Sequence, residues 1–184
     1  MNDTKIVPSN YRLYTFINFY LSSIQSGIQS AHIVSEMYVK YFDNKNEATN
    51  EHKMNVIKRW ASQDKTIIVL NGGTSQDLNN DYNRVSMLDH SSYTDKSHDI
   101  FFNIPYIKFY ESPDALGISE QGIMTGFGII VPEQIYNADL FKTEANPEPD
   151  YIYKIPNTIE TIVYPKNIIL WDIINIIKTK GLAR

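Results

Sequence analysis

The sequence predicts an α/β fold: a mixed, mostly parallel sheet of about four strands, flanked by helices and followed by a C-terminal strand and helix extension. Three observations predict it. Short β-branched and aromatic runs alternate with longer amphipathic segments in the order β-α-α-β-α-β-β. Helical segments follow the first two strands, and parallel neighbours need such crossovers. The first strand reads apolar on both faces, as a strand covered on both sides does. At 184 residues the chain is one domain, or one domain with an appendage. A chain of this length buries roughly 70% of its unfolded surface and needs no staples.

Tyr11 to Phe19 is the first strand, with Leu13, Thr15, Ile17 and Phe19 on one face and Tyr14 and Phe16 on the other. Ser22 and Ser23 offer an N-cap to a helix reaching about Phe42. Ile24, Ile28, Ala31, Val34, Tyr38 and Tyr41 form its apolar stripe. Asp43 to Glu51 is a polar connection, and a second helix from about His52 to Ala61 turns Met54, Ile57 and Trp60 inward. Lys65 to Asn71 is the second strand, closed by Gly72 and Gly73. Thr74 or Ser75 then caps a third helix that buries Leu78, Tyr82 and Val85. Asp89 to Asp99 reads as a loop. Phe101 to Tyr110 is a third strand, and Pro105 places it at an edge or marks its start. Gly122 to Val131 is a fourth strand whose three glycines permit close backbone approach.

The prolines of Asn137 to Asp150 mark a linker. Tyr151 to Tyr164 holds one or two short strands broken by Pro156, and Lys166 to Lys180 is a final helix. That helix is apolar nearly all round, so it is buried within the domain or against a second copy, which predicts a homo-oligomer, a dimer. The division is residues 1–136 for the α/β domain and 137–184 for the extension.

Composition narrows the function classes. No cysteine is present, which excludes disulfides, thiolate metal sites and a Cys nucleophile. Four histidines, none in a metal-ligand spacing, predict no metal, and no cofactor motif is present. Seventeen basic against 21 acidic residues give a net charge of -4, which argues against a long nucleic acid as partner. The polar N-terminus and the absence of a run approaching ~20 apolar residues predict a cytoplasmic chain with no membrane partner. Twenty-six Ile against 7 Ala, with many Asn, Lys and Tyr, reflect AT-rich codons such as bacteriophages use.

Three segments carry candidate chemistry. The turn into the first helix offers Ser22, Ser23, Gln25 and Gln29 beside the unpaired N–H groups of a helix N-terminus, a natural seat for an anion. Gln25 and Gln29 share a helix face. Asn71, Thr74 and Ser75, with the glycines between, repeat that arrangement after the second strand, without the lysine of a P-loop. Glu111 and Asp114 follow the third strand, where carboxylates serve as a base or hold hydroxyls, and Asp is equally a turn former. In each place a plain capped helix or turn is the competing reading. There is no HExxH and no GxSxG, and His90-Ser91-Ser92 gives only one of the two His-x-Ser units that a two-histidine phosphoesterase needs.

Tyr14 to His32 resembles the opening of type 2 peptidyl-tRNA hydrolases, in which a strand and turn lead to a Gly-Lys pair, Ala-Ala-Gln and a histidine. Gln29 and Ala31-His32 match in register. Ile57 to Trp60, the strand Lys65 to Leu70, Asp77-Leu78, Ile104 to Tyr106, Glu111 to Asp114 and Val131-Pro132 follow in order. The likeness spans roughly residues 11–136 and implies that family's fold. It departs where the family's chemistry lies. Gln25 stands where the family has lysine, and Glu111 to Asp114 lacks the Asp-x-Gly-Arg-Thr pattern.

Two functions follow. The first is a non-catalytic binding protein on that scaffold. It holds a small nucleotide-like anionic ligand through Ser22, Ser23, Gln25, Gln29, Asn71, Thr74, Ser75, Glu111 and Asp114. One version is a phage anti-defence protein that sequesters a host immune nucleotide signal. The second is a divergent peptidyl-tRNA hydrolase, an esterase that works with Gln29, His32, Glu111 and Asp114. A third, an interaction protein docking through its last helix, is the bland alternative.

Overall fold

The computed structural model describes residues 10–43, 48–87, 104–112, 122–137, 139–143, 146–154, 161–164 and 168–183. Its main sheet holds β1 (Tyr11–Asn18), β2 (Thr66–Gly73), β3 (Tyr106–Glu111) and β4 (Ile123–Pro132) in the order β2-β1-β4-β3. The expectation of a mostly parallel sheet needs correction. β1 and β2 pair in parallel, but β4 is antiparallel to both β1 and β3. The chain crosses from β2 at one edge to β3 at the other, and β4 then fills the gap by reversing.

Helices cover both faces. On one lie α1 (Ser23–Tyr38), continued by a π-helical turn at Val39–Asp43, and α2 (Ala48–Arg59), continued by a second such turn at Trp60–Asp64. There Tyr11, Leu13 and Ile130 of the sheet meet Met37, Tyr41, Ile57 and Trp60. On the other lie α3 (Ser75–Ser86) and, after the short α4 (Glu133–Tyr136), α5 (Ile168–Thr179). Phe16 stacks on Phe127 at 4.4 Å beneath Leu78 and Val85. Ile173, Ile174, Ile176 and Ile177 of α5 are buried in this same cluster. Each buried isoleucine contributes about 1.5–3 kcal/mol, and the apolar surface that argued for a dimer is to that extent used within the chain.

The expected apolar stripe of the first helix holds at its C-terminal end, where Tyr41 is buried and Val34 packs against the core, and fails before it. Ile24 is 79% exposed, Ile28 is half exposed, and Ala31 and Tyr38 face solvent. The buried face is instead Ser26, Gln29, Ser30, Ile33 and Met37. Polar residues are tolerated there because Gln29 and Ser30 find partners in the sheet and Ser26 borders a cleft. The Thr15 and Ser30 hydroxyls lie 2.9 Å apart, and Ser30 Oγ donates to the Ser26 carbonyl, so Thr15 supplies the shared proton. The glycines of β4 make room for this helix. A Cβ on Gly128 would run into Ile33, and one on Gly126 would lie 3.0 Å from it.

Two further expectations change. β1 ends at Asn18, so Phe19 stands in the turn, 54% exposed, and not in the strand. Asn137 to Asp150 is no linker: β5 (Asp139–Thr143) and β6 (Asn146–Lys154) form an antiparallel pair within it, joined by β7 (Thr161–Tyr164) in a second sheet of order β5-β6-β7. Pro147 and Pro149 fall where β6 has no β7 neighbour, which runs only along Tyr151 to Lys154. A strand tolerates proline where that side needs no donor. The predicted loop at Asp89 to Asp99, the start of strand three at Phe101 to Asn103, and Asp114 lie outside the described residues. Among the described residues no helix is long and apolar enough to cross a membrane.

Candidate functional site

The residues read as chemical fall into two places. The first is a closed polar cluster between α1, β3 and β4. Gln29 Nε2 donates to Glu111 Oε2 at 2.7 Å, and Thr125 Oγ1 donates to Gln29 Oε1 at 2.9 Å. Gln29 is 6% exposed and Thr125 3%. The amide therefore spends both ends on protein partners. His32, three residues on from Gln29 along α1, is exposed and lies flat on Phe109, ring centroids 4.7 Å apart and planes 4° from parallel. The structure thus brings Gln29, His32 and Glu111 to one edge of the sheet, with Gln29 and Glu111 in direct contact.

The second place is where β1 and β2 end. Helix caps dominate its approaches. Ser22 N–H and Oγ–H both donate to Gln25 Oε1, at 2.9 and 3.0 Å, and Gln25 N–H returns to Ser22 Oγ at 3.4 Å. Ser22 and Gln25 thereby satisfy each other, while Ser23 is exposed. Thr74 and Asp77 repeat the reciprocal pattern on α3, with Thr74 N–H and Oγ–H donating to Asp77 Oδ2 at 2.8 and 2.7 Å. Those two bonds hold the Asp77 carboxyl below its ordinary value, with a small further contribution from Lys180. Gly73, at φ +84°, makes the tight turn before this cap. Ser75 Oγ accepts from Asn18 Nδ2 at 2.9 Å, so the two strand-end turns are tied together.

Between these turns opens a cleft of about 1050 Å³. Ile17, Asn18 and Phe19 form one wall, Ser26 comes from α1, Asn71 and Gly73 lie at the end of β2, and the chain from Thr179 to Ala183 forms the far wall. That last stretch is held as an added strand. Asn71 N–H donates to the Gly181 carbonyl at 2.8 Å, Ala183 N–H to the Val69 carbonyl at 3.0 Å, and Leu182 bridges Leu70 in antiparallel sense. Lys180 Nζ sits 3.0 Å from Asp81 Oδ2 and donates to the Gly72 carbonyl at 3.4 Å. Arg84, ion-paired with Asp172 of α5, lies 3.7 Å from Asp81 and completes the latch.

Of the residues singled out from the sequence as ligand contacts, Asn71 lines this cleft; Gln29 and Glu111 belong to the closed cluster. Sequence reasoning missed Asn18, Phe19, Ser26 and Lys180. It also missed the cation: the site lacks a lysine at Gln25 but receives one from the C-terminal tail. The signal was present in the run Lys178 to Gly181, where a basic helix end is followed by a glycine, but nothing local says which strand such a tail joins. Among the described residues no group of three His, Cys, Asp or Glu gathers as a metal site. No family model matches the chain, and no curated protein matches it in sequence.

Proposed function

We propose that the chain is a binding protein that holds a small nucleotide-like anionic ligand in the cleft at the ends of β1 and β2, without cleaving it. In open α/β sheets ligands collect at the carboxyl ends of strands, and β1 and β2 are the parallel pair here. The cleft is at the upper end of ordinary small-molecule sites in volume and mixes apolar walls with convergent polar groups. One observation carries the non-catalytic reading: among the described residues lining the cleft there is no carboxylate and no imidazole. A general base within about 3 Å of an attacking water is therefore missing from that lining. The likeness of residues 11–136 in sequence to type 2 peptidyl-tRNA hydrolases and the phage-like composition support a specific form of this reading, sequestration of a host nucleotide signal.

The contact between Gln29 and Glu111 favours the second reading, a divergent peptidyl-tRNA hydrolase, and one experiment separates the two. The purified chain is incubated with a panel of mononucleotides and cyclic dinucleotides, and separately with a model peptidyl-tRNA. The protein is then denatured and the released molecules are chromatographed. The binding reading expects a nucleotide that is retained through desalting and recovered intact, with the peptidyl-tRNA ester unbroken. Cleaved nucleotide, or free tRNA whose release is lost in Glu111→Gln, contradicts it.

A further inference from the structure

Resting on that reading, we infer that the cleft takes a nucleoside monophosphate in one orientation, base stacked on Phe19 and phosphate on Lys180. Phe19 follows directly on Asn18, which pairs with Gly73, and its N–H donates to the Gly73 carbonyl at 3.0 Å. The residue is 54% exposed and lines the cleft; its ring leans on Tyr20, centroids 4.1 Å apart and tilted 55°, and leaves aromatic surface open to a flat partner. On the other side of β2 the antiparallel tail brings Lys180 level with Gly72, as its hydrogen bond to the Gly72 carbonyl shows. Neighbouring strands lie about 4.8 Å apart, so Phe19 and Lys180 flank β2 at roughly 10 Å between backbones. The two residues between them are glycines, with Leu78 packed against Gly72 and the Asp77 carboxylate against Gly73 on the α3 side. That separation suits a monophosphate lying across the strand end.

Lys180 is prepared for an anion. An ammonium has three N–H donors. The Gly72 carbonyl accepts from one, and the Asp81 carboxylate pairs with the charge at 3.0 Å, which holds the nitrogen beside the cleft with N–H capacity left for a phosphate oxygen.

The test uses the full chain and measures affinity for AMP, adenosine and inorganic phosphate by calorimetry. The expected order is AMP tighter than adenosine, with inorganic phosphate weakest. Phe19→Ala weakens AMP and adenosine alike, by about tenfold, and Phe19→Tyr restores both. Lys180→Gln weakens AMP by about tenfold and leaves adenosine unchanged, and Lys180→Arg recovers most of the loss. The Arg variant also shows whether the tail stays in place, because it keeps the charge at Asp81. If the wild-type chain binds AMP and Phe19→Ala binds it equally well, the orientation is wrong while the cleft reading stands. If Lys180→Gln weakens adenosine as much as AMP, the phosphate assignment is wrong. A wild-type chain that binds no nucleotide overturns the orientation and the proposed function together.

Discussion

The cluster around Gln29 and the cleft beside Asn18 are alike in make-up and opposite in state. Both are polar, both touch α1, and each joins a central strand to an edge strand, β4 to β3 for the cluster and β1 to β2 for the cleft. The cluster holds the side chains that look most chemical in the sequence, yet they consume one another: amide to carboxylate, hydroxyl to amide. The cleft is lined by residues that look ordinary, and it is open. Chemical potential in a sequence therefore says little until the partners are known. A buried glutamine with both ends bonded is a structural joint, whereas a phenylalanine at a strand end that leans on Tyr20 keeps aromatic surface open to solvent.

The largest expected effect breaks the joint. Gln29→Leu leaves Glu111 and Thr125 without their shared partner and destabilises the fold by about 2–3 kcal/mol, read as a lower urea midpoint at unchanged slope. Nucleotide affinity of the folded variant stays as in the wild type. A loss of affinity greater than tenfold would show that the two places are one site.

Next comes packing behind the joint. Gly128→Ala forces a methyl against Ile33 and destabilises by about 1–3 kcal/mol, seen as a drop in thermal midpoint. If α1 moves as a unit, Ser26 leaves the cleft wall and affinity falls as well; unchanged affinity means that β1 and β2 alone set the cleft.

Removing a cap is a smaller change. Thr74→Ala costs about 1 kcal/mol by freeing the first turn of α3, and amide exchange of Gln76 to Leu78 should rise without global unfolding.

The smallest effect is a pH dependence of the same cap. Thr74 donates to the Asp77 carboxylate and lowers its pKa in the fold relative to 3.8. The unfolded chain therefore binds that proton more readily. Stability from this group is fully present above 3.8 and is lost as pH falls through the lower folded value. Asp77→Asn should flatten that part of the acid stability curve; an unchanged acid limb would mean the cap opens before it titrates.

The fold was largely legible because its signals are local. Periods of two and of three to four, Ser22 and Thr74 as caps, and Gly72-Gly73 as a stop all act within a few residues. The misreadings have distant causes. α1 turned Ile24 and Ile28 outward, though not Ile33, because Thr15, Thr125 and Glu111 of the sheet satisfy its polar face. β6 absorbed Pro147 and Pro149 because β7 reaches only to Tyr151. The sheet is less parallel than expected because β4 is inserted between β1 and β3, a choice no single strand reveals. The site was half legible: the strand-end turns announce themselves, but Lys180 arrives through a tail that pairs with Leu70 and Asn71, and pairing of that range leaves no local mark.

The most direct test of the claim that the cleft, and not the Gln29 cluster, receives the ligand is an amide chemical-shift titration of the labelled chain with AMP. The account predicts saturable shifts concentrated at Asn18, Phe19, Asn71, Gly73 and Lys180 to Leu182, with Gln29, Thr125 and Glu111 unmoved and the nucleotide unaltered at the end. Shifts centred on Gln29 and Glu111, or loss of the AMP phosphate signal to a cleavage product, would contradict it.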